Sequence, residues 1–465
     1  MAGEPDETND PDDPRRKQTN PFAGTPMEDV FKAFGSGQMP DMNALMGQMQ
    51  RMFAPHEGAV NWDTAKDVAR HTVAASPDPS PTSNQSGAVA DAVRLAETWL
   101  DRATGLPAGA TASAAWSRAE WVEHTSDTWR GLVEPIAEHV VGAMGKAIPE
   151  EAKAMVGPLL GMLTQAGGAM FGQQVGQALG GLASEVHSST DVGLPLGPEG
   201  LAAVLPSNIA AFGEGLEVSD ADVLLYVVIR ECAHHRLFAH APWLRGRLVG
   251  AVEAFGRGTT IDVAGIEAKL GSIDPTNPGA IQEAMQEGLF EPQRTAEQQA
   301  ALDRLEALLA FVEGWVDDVV DQATRETMPS APKLREAMRR RRATGGPAEQ
   351  AFATLVGLEL RPRRLRDAAT LWAALRDRQG AEARDAVWAH PDLMPSASDL
   401  DDPLGFAQGE RSDDDVAAED DFDAALADLL EQGEAEASDE ARATEEPDQG
   451  DEGDAGTDGP TDTPR

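Results

Sequence analysis

The stretch S-D-A-D-V-L-L-Y-V-V-I-R-E-C-A-H-H-R-L occupies residues 219–237 and predicts the helix around which the rest of the chain packs. Ser219 and Asp222 give a helix start signal, because a serine hydroxyl can cap an amide three residues further on. The run from Val223 to Ile229 is apolar without interruption, which is typical of a helix buried on all sides. Polar side chains that follow on this helix are therefore expected to be buried or to line a cleft.

Ionisable side chains follow the apolar run directly, and they are Arg230, Glu231, His234 and His235. At about 100° per residue, all four fall within one sector of about 140° on the helix. Such a group on an otherwise apolar helix indicates a candidate functional site.

The order of these residues is close to the zinc-binding pattern H-E-x-x-H. In that pattern two histidines four residues apart bind zinc, and the glutamate acts as general base. Glu231 and His234 fit the second and fifth positions. The first position is held by Arg230, which stays protonated and has no lone pair to offer a metal. The pattern is therefore broken at one ligand.

Composition bounds the classes of function. The formal net charge of −41 over 465 residues argues against nucleic acid as a partner. Residues 410–465 hold 22 acidic residues and 3 arginines, a net −19, and the remaining −22 is spread over the rest of the chain. The single cysteine, Cys232, fits a reducing compartment, and the acidic Met1–Pro14 is unlike a secretory leader, so we expect a cytoplasmic protein.

One glycine-rich segment, Ala154–Val186, is long enough to be compared with a membrane span. Its four glutamines and Pro158 are unlike the predominantly apolar run that a span needs, so no membrane contact is expected. Its glycines recur mostly four residues apart, which favours close packing of a neighbouring helix over a phosphate-binding loop, since no Lys-Ser/Thr follows them. These glycines are Gly157, Gly161, Gly168, Gly172, Gly176 and Gly180.

The hydrophobic pattern predicts a mainly α protein. We divide it into a disordered arm (1–40), short helices that pack on the main domain (41–75), a linker or exposed loop (76–87), a helical domain (88–406) and a disordered acidic tail (407–465).

Two further segments bear on function. Ala296–Thr324 is the longest periodic stretch, and it carries Glu313 with Asp317 four residues later. Lys333–Arg342 is basic and ends in four arginines, which we interpret as a solvated face or a docking site for the acidic tail. Within the tail, an apolar stripe at helical spacing could enter a groove of a protein partner. The stripe consists of Phe422, Leu426, Leu429 and Leu430.

Several short motifs occur in a characteristic order along the chain. They are N-P-F at 20–22, V-N-W at 60–62, W-S-R-A-E-W-V-E at 116–123, G-L-P-L-G at 193–197, R-E-C-A-H-H-R-L-F at 230–238, E-G-W-V-D at 313–317 and G-L-E-L-R-P-R-R at 357–364. In this respect the chain resembles a bacterial, actinobacterial-type family of hydrolases labelled zinc-dependent metalloproteases. Some members of that family bear a name tied to deazaflavin-cofactor biosynthesis.

The resemblance implies a helical zincin-like domain, zinc as cofactor, and a peptide or protein as substrate. It also implies roles for individual residues: Glu231 as general base, His234 as metal ligand, and Glu313, on a later helix, as candidate third ligand. Arg230 stands at the substituted ligand position, while His235 and Asp317 are expected to support the site residues.

Two hypotheses follow. In the first, the protein is a metalloprotease-like hydrolase, weak or inactive, whose metal site is degenerate because the guanidinium of Arg230 pairs with Glu313 or Asp317. In the second, it is a non-catalytic scaffold or adaptor that binds partners through its acidic tail.

Overall fold

The computed structural model describes residue 56 and residues 58–146, 150–257, 295–343 and 364–409. Within these ranges the protein is mainly α, as predicted. The expected N-terminal arm, residues 41–55 of the predicted short helices, and residues 410–465 of the acidic tail with its apolar stripe lie outside the described residues. Among the described helices, none combines the length and apolarity that crossing a bilayer would require.

The helices and strands follow one another in a fixed order along the chain. They are α1 (Trp62–Ala74), α2 (Ser83–Leu100), β1 (Ala112–Ala115), α3 (Arg118–Lys146), α4 (Glu150–Ala183), β2 (Leu201–Val204), α5 (Pro206–Gly213), α6 (Asp220–His240), α7 (Pro242–Arg257), α8 (Ala296–Thr324), α9 (Ala331–Ala343), α10 (Leu365–Gln379), α11 (Ala381–Ala386) and α12 (Pro403–Gln408). Three short 3₁₀ turns lie between α11 and α12, at Val387–Ala389, Pro391–Leu393 and Ser398–Leu400.

Helix α6 is the central buried helix that the sequence predicts. The hydroxyl of Ser219 accepts a hydrogen bond from the amide of Asp222 at 3.2 Å, which caps the first turn. All residues from Tyr226 to Leu237 are buried. Helices α2, α5, α7 and α8 and strand β2 pack around it. The polar residues after the apolar run are therefore buried, as expected.

Helix α4 packs backbone to backbone against α1 through the predicted glycines. A Cβ atom at Gly172 would lie 2.4 Å from the carbonyl oxygen of Asn61, and one at Gly176 would lie 2.4 Å from that of Ala65. The amide of Asn61 also donates to the carbonyl oxygen of Gly168 at 3.0 Å. No larger side chain fits at these two contacts, so the glycine spacing reflects helix packing.

Two short strands form a parallel pair that the sequence analysis did not predict. β1 and β2 run in register from Ala112↔Leu201 to Ala115↔Val204. The amide of Ser189 donates to the carbonyl oxygen of Ala203 at 2.9 Å, which places the loop before β2 beside this strand. The pair is important for the site because β2 also packs on α6.

One local prediction was wrong. The loop expected over 76–87 ends earlier, because Thr82 and Gln85 form a capping box and α2 begins at Ser83.

Helix α8 has the bounds that the periodicity predicts, Ala296–Thr324, and Thr295 and Gln298 form a capping box at its start. Helix α9 follows after a short turn and lies along both α6 and α8. Side chains of α1, α2, α6, α8 and α10 all contribute to the same hydrophobic core.

Candidate functional site

Arg230 lies between two carboxylates of α8 and is only 5% exposed. Its Nη2 atom donates to Oε2 of Glu313 at 2.6 Å, and its Nη1 atom donates to Oδ1 of Asp317 at 3.4 Å. The guanidinium therefore bridges two carboxylates one turn apart, where the sequence predicted a pair with one of them. Burial acts to lower the pKa of Arg230, but Glu313, Tyr226 and Asp317 together hold it above its usual value.

His234 lies one turn after Arg230 on the same face of α6. Its Nδ1 atom is 2.9 Å from the carbonyl oxygen of Arg230, and its Nε2 atom is 3.1 Å from Oε1 of Glu313. Both ring nitrogens therefore lie at hydrogen-bond distance from oxygen atoms. The structure thus brings together the two expected metal ligands, His234 and Glu313, in direct contact with each other.

Glu313 is contacted by two arginines and a histidine. Its Oε1 faces His234, and its Oε2 accepts from Arg230 and also from Nη1 of Arg342. Burial acts to raise the pKa of Glu313, but Arg342, His234 and Arg230 outweigh it and hold that pKa well below its usual value. The carboxylate is therefore ionised and fully engaged.

Glu231, the expected general base, points away from this cluster and is completely buried. Its oxygens accept from the Oγ of Ser189 and the Oγ1 of Thr190, both at 2.5 Å, and from the amides of Thr190 and Ala203 at 3.2 and 3.3 Å. The Nε2 atom of His235 lies 3.2 Å from Oε1 of Glu231.

The electrostatics of Glu231 follow from these contacts. Burial acts to raise its pKa, but the hydrogen bonds and the charge of His235, together with the neighbouring serine hydroxyls, lower the pKa of Glu231 to about 2. Glu231 ties α6 to β2 and to the loop that precedes it. Of the two expected supporting residues, His235 contacts Glu231 and Asp317 contacts Arg230.

Three arginines of α9 form ion pairs with acidic side chains of α8. Arg342 contacts Glu313, Arg339 contacts Asp317, and Arg335 contacts Asp321. The predicted solvated face was therefore wrong for these three side chains, because they are paired within the folded domain. The predicted dock for the acidic tail involves residues outside the described ranges and stays a prediction. Among the arginines of the run, Arg340 is the exposed one and pairs with Glu336 on its own helix.

A second group of contacts holds the end of α9 against the loop before β2. Arg341 donates to Oδ2 of Asp191 at 3.1 Å and to the carbonyl oxygen of Glu185 at 2.6 Å. The Nδ1 atom of His187 is 3.3 Å from Oδ2 of Asp191. Burial raises the pKa of Asp191, but Arg341, His187 and Arg342 hold it well below its usual value, whereas burial lowers the pKa of His187.

The side chains present do not fit a catalytic zinc ion. Such a site needs three protein ligands and an open position for water. The first ligand position carries the cation Arg230, and the oxygens of Glu313 are already in contact with Arg230, Arg342 and His234. In the described part of the chain, no group of three or more His, Cys, Asp or Glu side chains is arranged to hold a metal ion.

Sequence reasoning missed Arg342 as a partner of Glu313, and it missed the hydroxyl partners of Glu231. Arg342 could have been found, because Arg335, Arg339 and Arg342 repeat at the helical spacing of the acidic residues of α8. Ser189 and Thr190 give no such signal, since they lie in a loop more than 40 residues before Glu231.

Comparisons with known proteins agree on the type of fold. The profile of a family described as zincin-like metallopeptidase matches residues 60–407. A crystal structure described as a "putative hydrolase with a novel fold" from Chloroflexus aurantiacus superposes with a TM-score of 0.53 at 20% sequence identity, and it covers 76% of this chain and 99% of the other. At that identity the likeness shows a shared fold. A search of curated protein sequences gives no match.

Proposed function

The chain belongs to the zincin-like metallopeptidase family, and from that premise we propose that it is a member in which ion pairs stand in place of the metal centre. It does not hydrolyse peptides with zinc. The observation that carries this proposal is the 2.6 Å contact between Arg230, at the first ligand position, and Glu313, the candidate third ligand.

Charge explains why the replacement is stable. Two guanidinium groups, those of Arg230 and Arg342, contact the carboxylate of Glu313. A divalent cation placed against the same carboxylate would be repelled by both groups at short range in a buried site. The side-chain cations therefore supply the positive charge that a metal would bring, and they exclude the metal.

The state of Glu231 supports the same proposal. A general base must reach the proton that it abstracts. Every oxygen of Glu231 already accepts hydrogen bonds from Ser189, Thr190, Ala203 or His235, and the residue has no exposed surface. We infer a structural role for Glu231 in this chain.

The metal content of the purified protein tests the proposal. We expect no zinc in the native protein by elemental mass spectrometry, and about one zinc per chain in an Arg230→His/Arg342→Gln variant, which restores a nitrogen ligand and removes the second guanidinium. Adding His234→Ala to that variant should abolish its zinc. Near-stoichiometric zinc in the native protein, together with peptidase activity that chelation removes, would contradict the proposal.

A binding role is the second candidate, and it rests on the sequence of residues 410–465. This segment carries a net charge of −19 and an apolar stripe at helical spacing. We propose that it engages a protein or peptide partner, the class of molecule that the family suggests as substrate. Deletion of 410–465 should leave the melting temperature unchanged and abolish partner binding; retention of binding would place the partner surface on the folded domain.

A further inference from the structure

The last turn of α9 is attached to the rest of the protein by charged side chains. Residues 339–342 are four consecutive arginines, so this stretch has no apolar side chain to bury. Arg341 donates to the carboxylate of Asp191, in the loop that precedes β2. Arg342 donates from Nη2 to the carbonyl oxygen of Asp191 at 3.0 Å, and its Nη1 atom contacts Glu313. The end of α9 therefore covers Glu313 for as long as this loop holds the two arginines.

His187, in the same loop, lies directly against Arg341. The Nδ1 atom of its ring is 3.4 Å from Nη1 of Arg341 and 3.3 Å from Oδ2 of Asp191. That same oxygen of Asp191 accepts from Arg341 at 3.1 Å, and Arg342 lies 3.9 Å from the other oxygen. The charged groups that act on the ring are these three, while α5 packs the uncharged ring of Phe212 against it at 4.8 Å between centroids. A protonated His187 would therefore be the third cation on one carboxylate.

The loop fixes the position of the His187 ring. The amide of His187 donates to Oδ2 of Asp191 at 2.9 Å, and its carbonyl oxygen accepts from the amide of Leu205 at 2.8 Å. The side chains of His187 and Asp191 are 3% and 6% exposed, whereas that of Arg341 is 24% exposed. Of the two groups that would repel each other, Arg341 is thus the one that can swing its charged head into water. A charged imidazole keeps Asp191 and displaces the arginine.

Proton uptake by His187 and release of the arginines favour each other. Burial lowers the pKa of His187 below its ordinary value of 6.5; Asp191 opposes this, and Arg341 and Arg342 add to it. Once the arginines have left, Asp191 remains as the charged neighbour, and its attraction stabilises the charged ring. The open form therefore binds the proton more tightly than the closed form, so acid favours opening.

We propose that His187 is a pH-sensitive switch for the end of α9: when its ring takes up a proton, Arg341 and Arg342 leave Asp191, and Glu313 is uncovered. Histidine suits this role because its charge changes between about pH 5 and pH 8. The switch does not rest on the function proposed above, since it concerns the contact that covers Glu313 and not the presence or absence of a metal. Zinc content and the opening of α9 are measured separately, so either idea can fail alone.

Amide hydrogen exchange of the full chain, read by mass spectrometry on peptides from residues 331–343, measures the opening. The protection of the last turn of α9, corrected for the intrinsic pH dependence of exchange, should fall as the pH is lowered from about 7.5 to about 5.5. Because each opening takes up one proton, the fall should reach up to about tenfold per pH unit below the ordinary pKa of the ring. In His187→Gln the side chain stays uncharged, and the last turn should keep its protection throughout this range.

His390→Gln provides a matched control. His390 also lies beside an aspartate, with Nδ1 3.2 Å from Oδ2 of Asp392, but its side chain is 62% exposed and far from α9 in the chain. This variant should open with acid as the native protein does. The NMR titration of the His187 ring in the native protein needs no substitution, and its midpoint should coincide with the loss of protection. Protection that does not fall in the native protein, or that falls equally in His187→Gln, would overturn the proposal.

Discussion

Helix α8 carries two buried ion networks on adjacent residues, and they differ in charge. Asp317 belongs to the candidate site, where Arg230, Arg339 and Arg342 outnumber two carboxylates. Asp318 lies about 100° further round the helix. There it contacts Arg376 and Arg384; the two arginines are balanced by the buried Asp318 and Asp385, and Arg376 also contacts the exposed Asp377.

The balanced network is also complete in its hydrogen bonds. Arg384, which is fully buried, donates to Asp385, Asp318 and the carbonyl oxygen of Ala103, each at 2.8 Å. Asp385 in turn accepts from Thr104 and from the indole of Trp315. Every group is matched, as in a purely structural network. In the candidate site, by contrast, Glu313 and Asp317 together contact three arginines, Arg230, Arg339 and Arg342.

Deleting one arginine from each network gives the largest expected contrast. Arg384→Met should cost about 3–5 kcal/mol, because Asp318 and Asp385 lose their fully buried partner. Arg342→Met should cost about 1 kcal/mol or less, because it removes surplus charge and leaves Glu313 paired with Arg230 and His234. Urea denaturation of both variants checks this, and equal losses would remove the distinction between the two networks.

Deleting a carboxylate from the candidate site should have the next largest effect. Glu313→Ala leaves three cations in a buried cluster with Asp317 as the remaining carboxylate, and we expect a loss of about 3–4 kcal/mol. Asp321→Ala, in the half-exposed Arg335 pair, is the control and should cost less than about 1 kcal/mol. An unchanged melting temperature for Glu313→Ala would show that its contacts with the arginines contribute nothing to the fold.

Much of the fold and part of the site could be predicted from the sequence. The bounds of α8 and the cap of α6 at Ser219 depend on periodicity or on a local signal, and the pairing of Arg230 with Glu313 was inferred from the family resemblance. Helical spacing also places Asp317 one turn after Glu313, within reach of the same guanidinium.

The remainder depends on contacts between distant parts of the chain. Strands β1 and β2 have four residues each, and β1 consists of alanine and serine, so no alternating pattern marks it. Glu231 is fixed by Ser189 and Thr190 from a loop, and by the amide of Ala203, whose role depends on backbone position and not on residue type. Fold and family were therefore predictable, whereas the hydrogen-bond partners of the expected base were not.

Lowering the pH should destabilise the protein, because Glu231 becomes protonated. Its pKa falls from an ordinary value near 4.5 to about 2 in the folded state, so its contribution is complete above about pH 5 and is lost as the pH falls toward 2. A shift of this size corresponds to about 3 kcal/mol.

The free energy of unfolding, measured between pH 7 and pH 2.5, tests this contribution of Glu231. In Glu231→Gln the decline below about pH 4.5 should be shallower, because the titrating carboxylate is gone. His235→Gln is the control for the charge of the neighbouring ring and keeps the hydroxyl donors of Ser189 and Thr190. If the free energy of unfolding falls equally at low pH in the native protein and in Glu231→Gln, the protonation of Glu231 is not the cause of that fall.

The smallest expected effect comes from the ion pair between Arg335 of α9 and Asp321 of α8. It shows how much the stabilisation from an ion pair depends on burial. Arg335 and Asp321 have side chains 31% and 28% exposed, against 13% and 6% for Arg342 and Glu313. Arg335→Gln should therefore cost less than about 1 kcal/mol, and added salt should remove most of that cost because exposed charges are screened. Urea denaturation at low and high salt distinguishes the cases. A loss of stability that persists in high salt would mean that the Arg335–Asp321 pair is as well shielded from solvent as the pairs at Glu313. All the ion pairs between α8 and α9 would then behave as buried pairs.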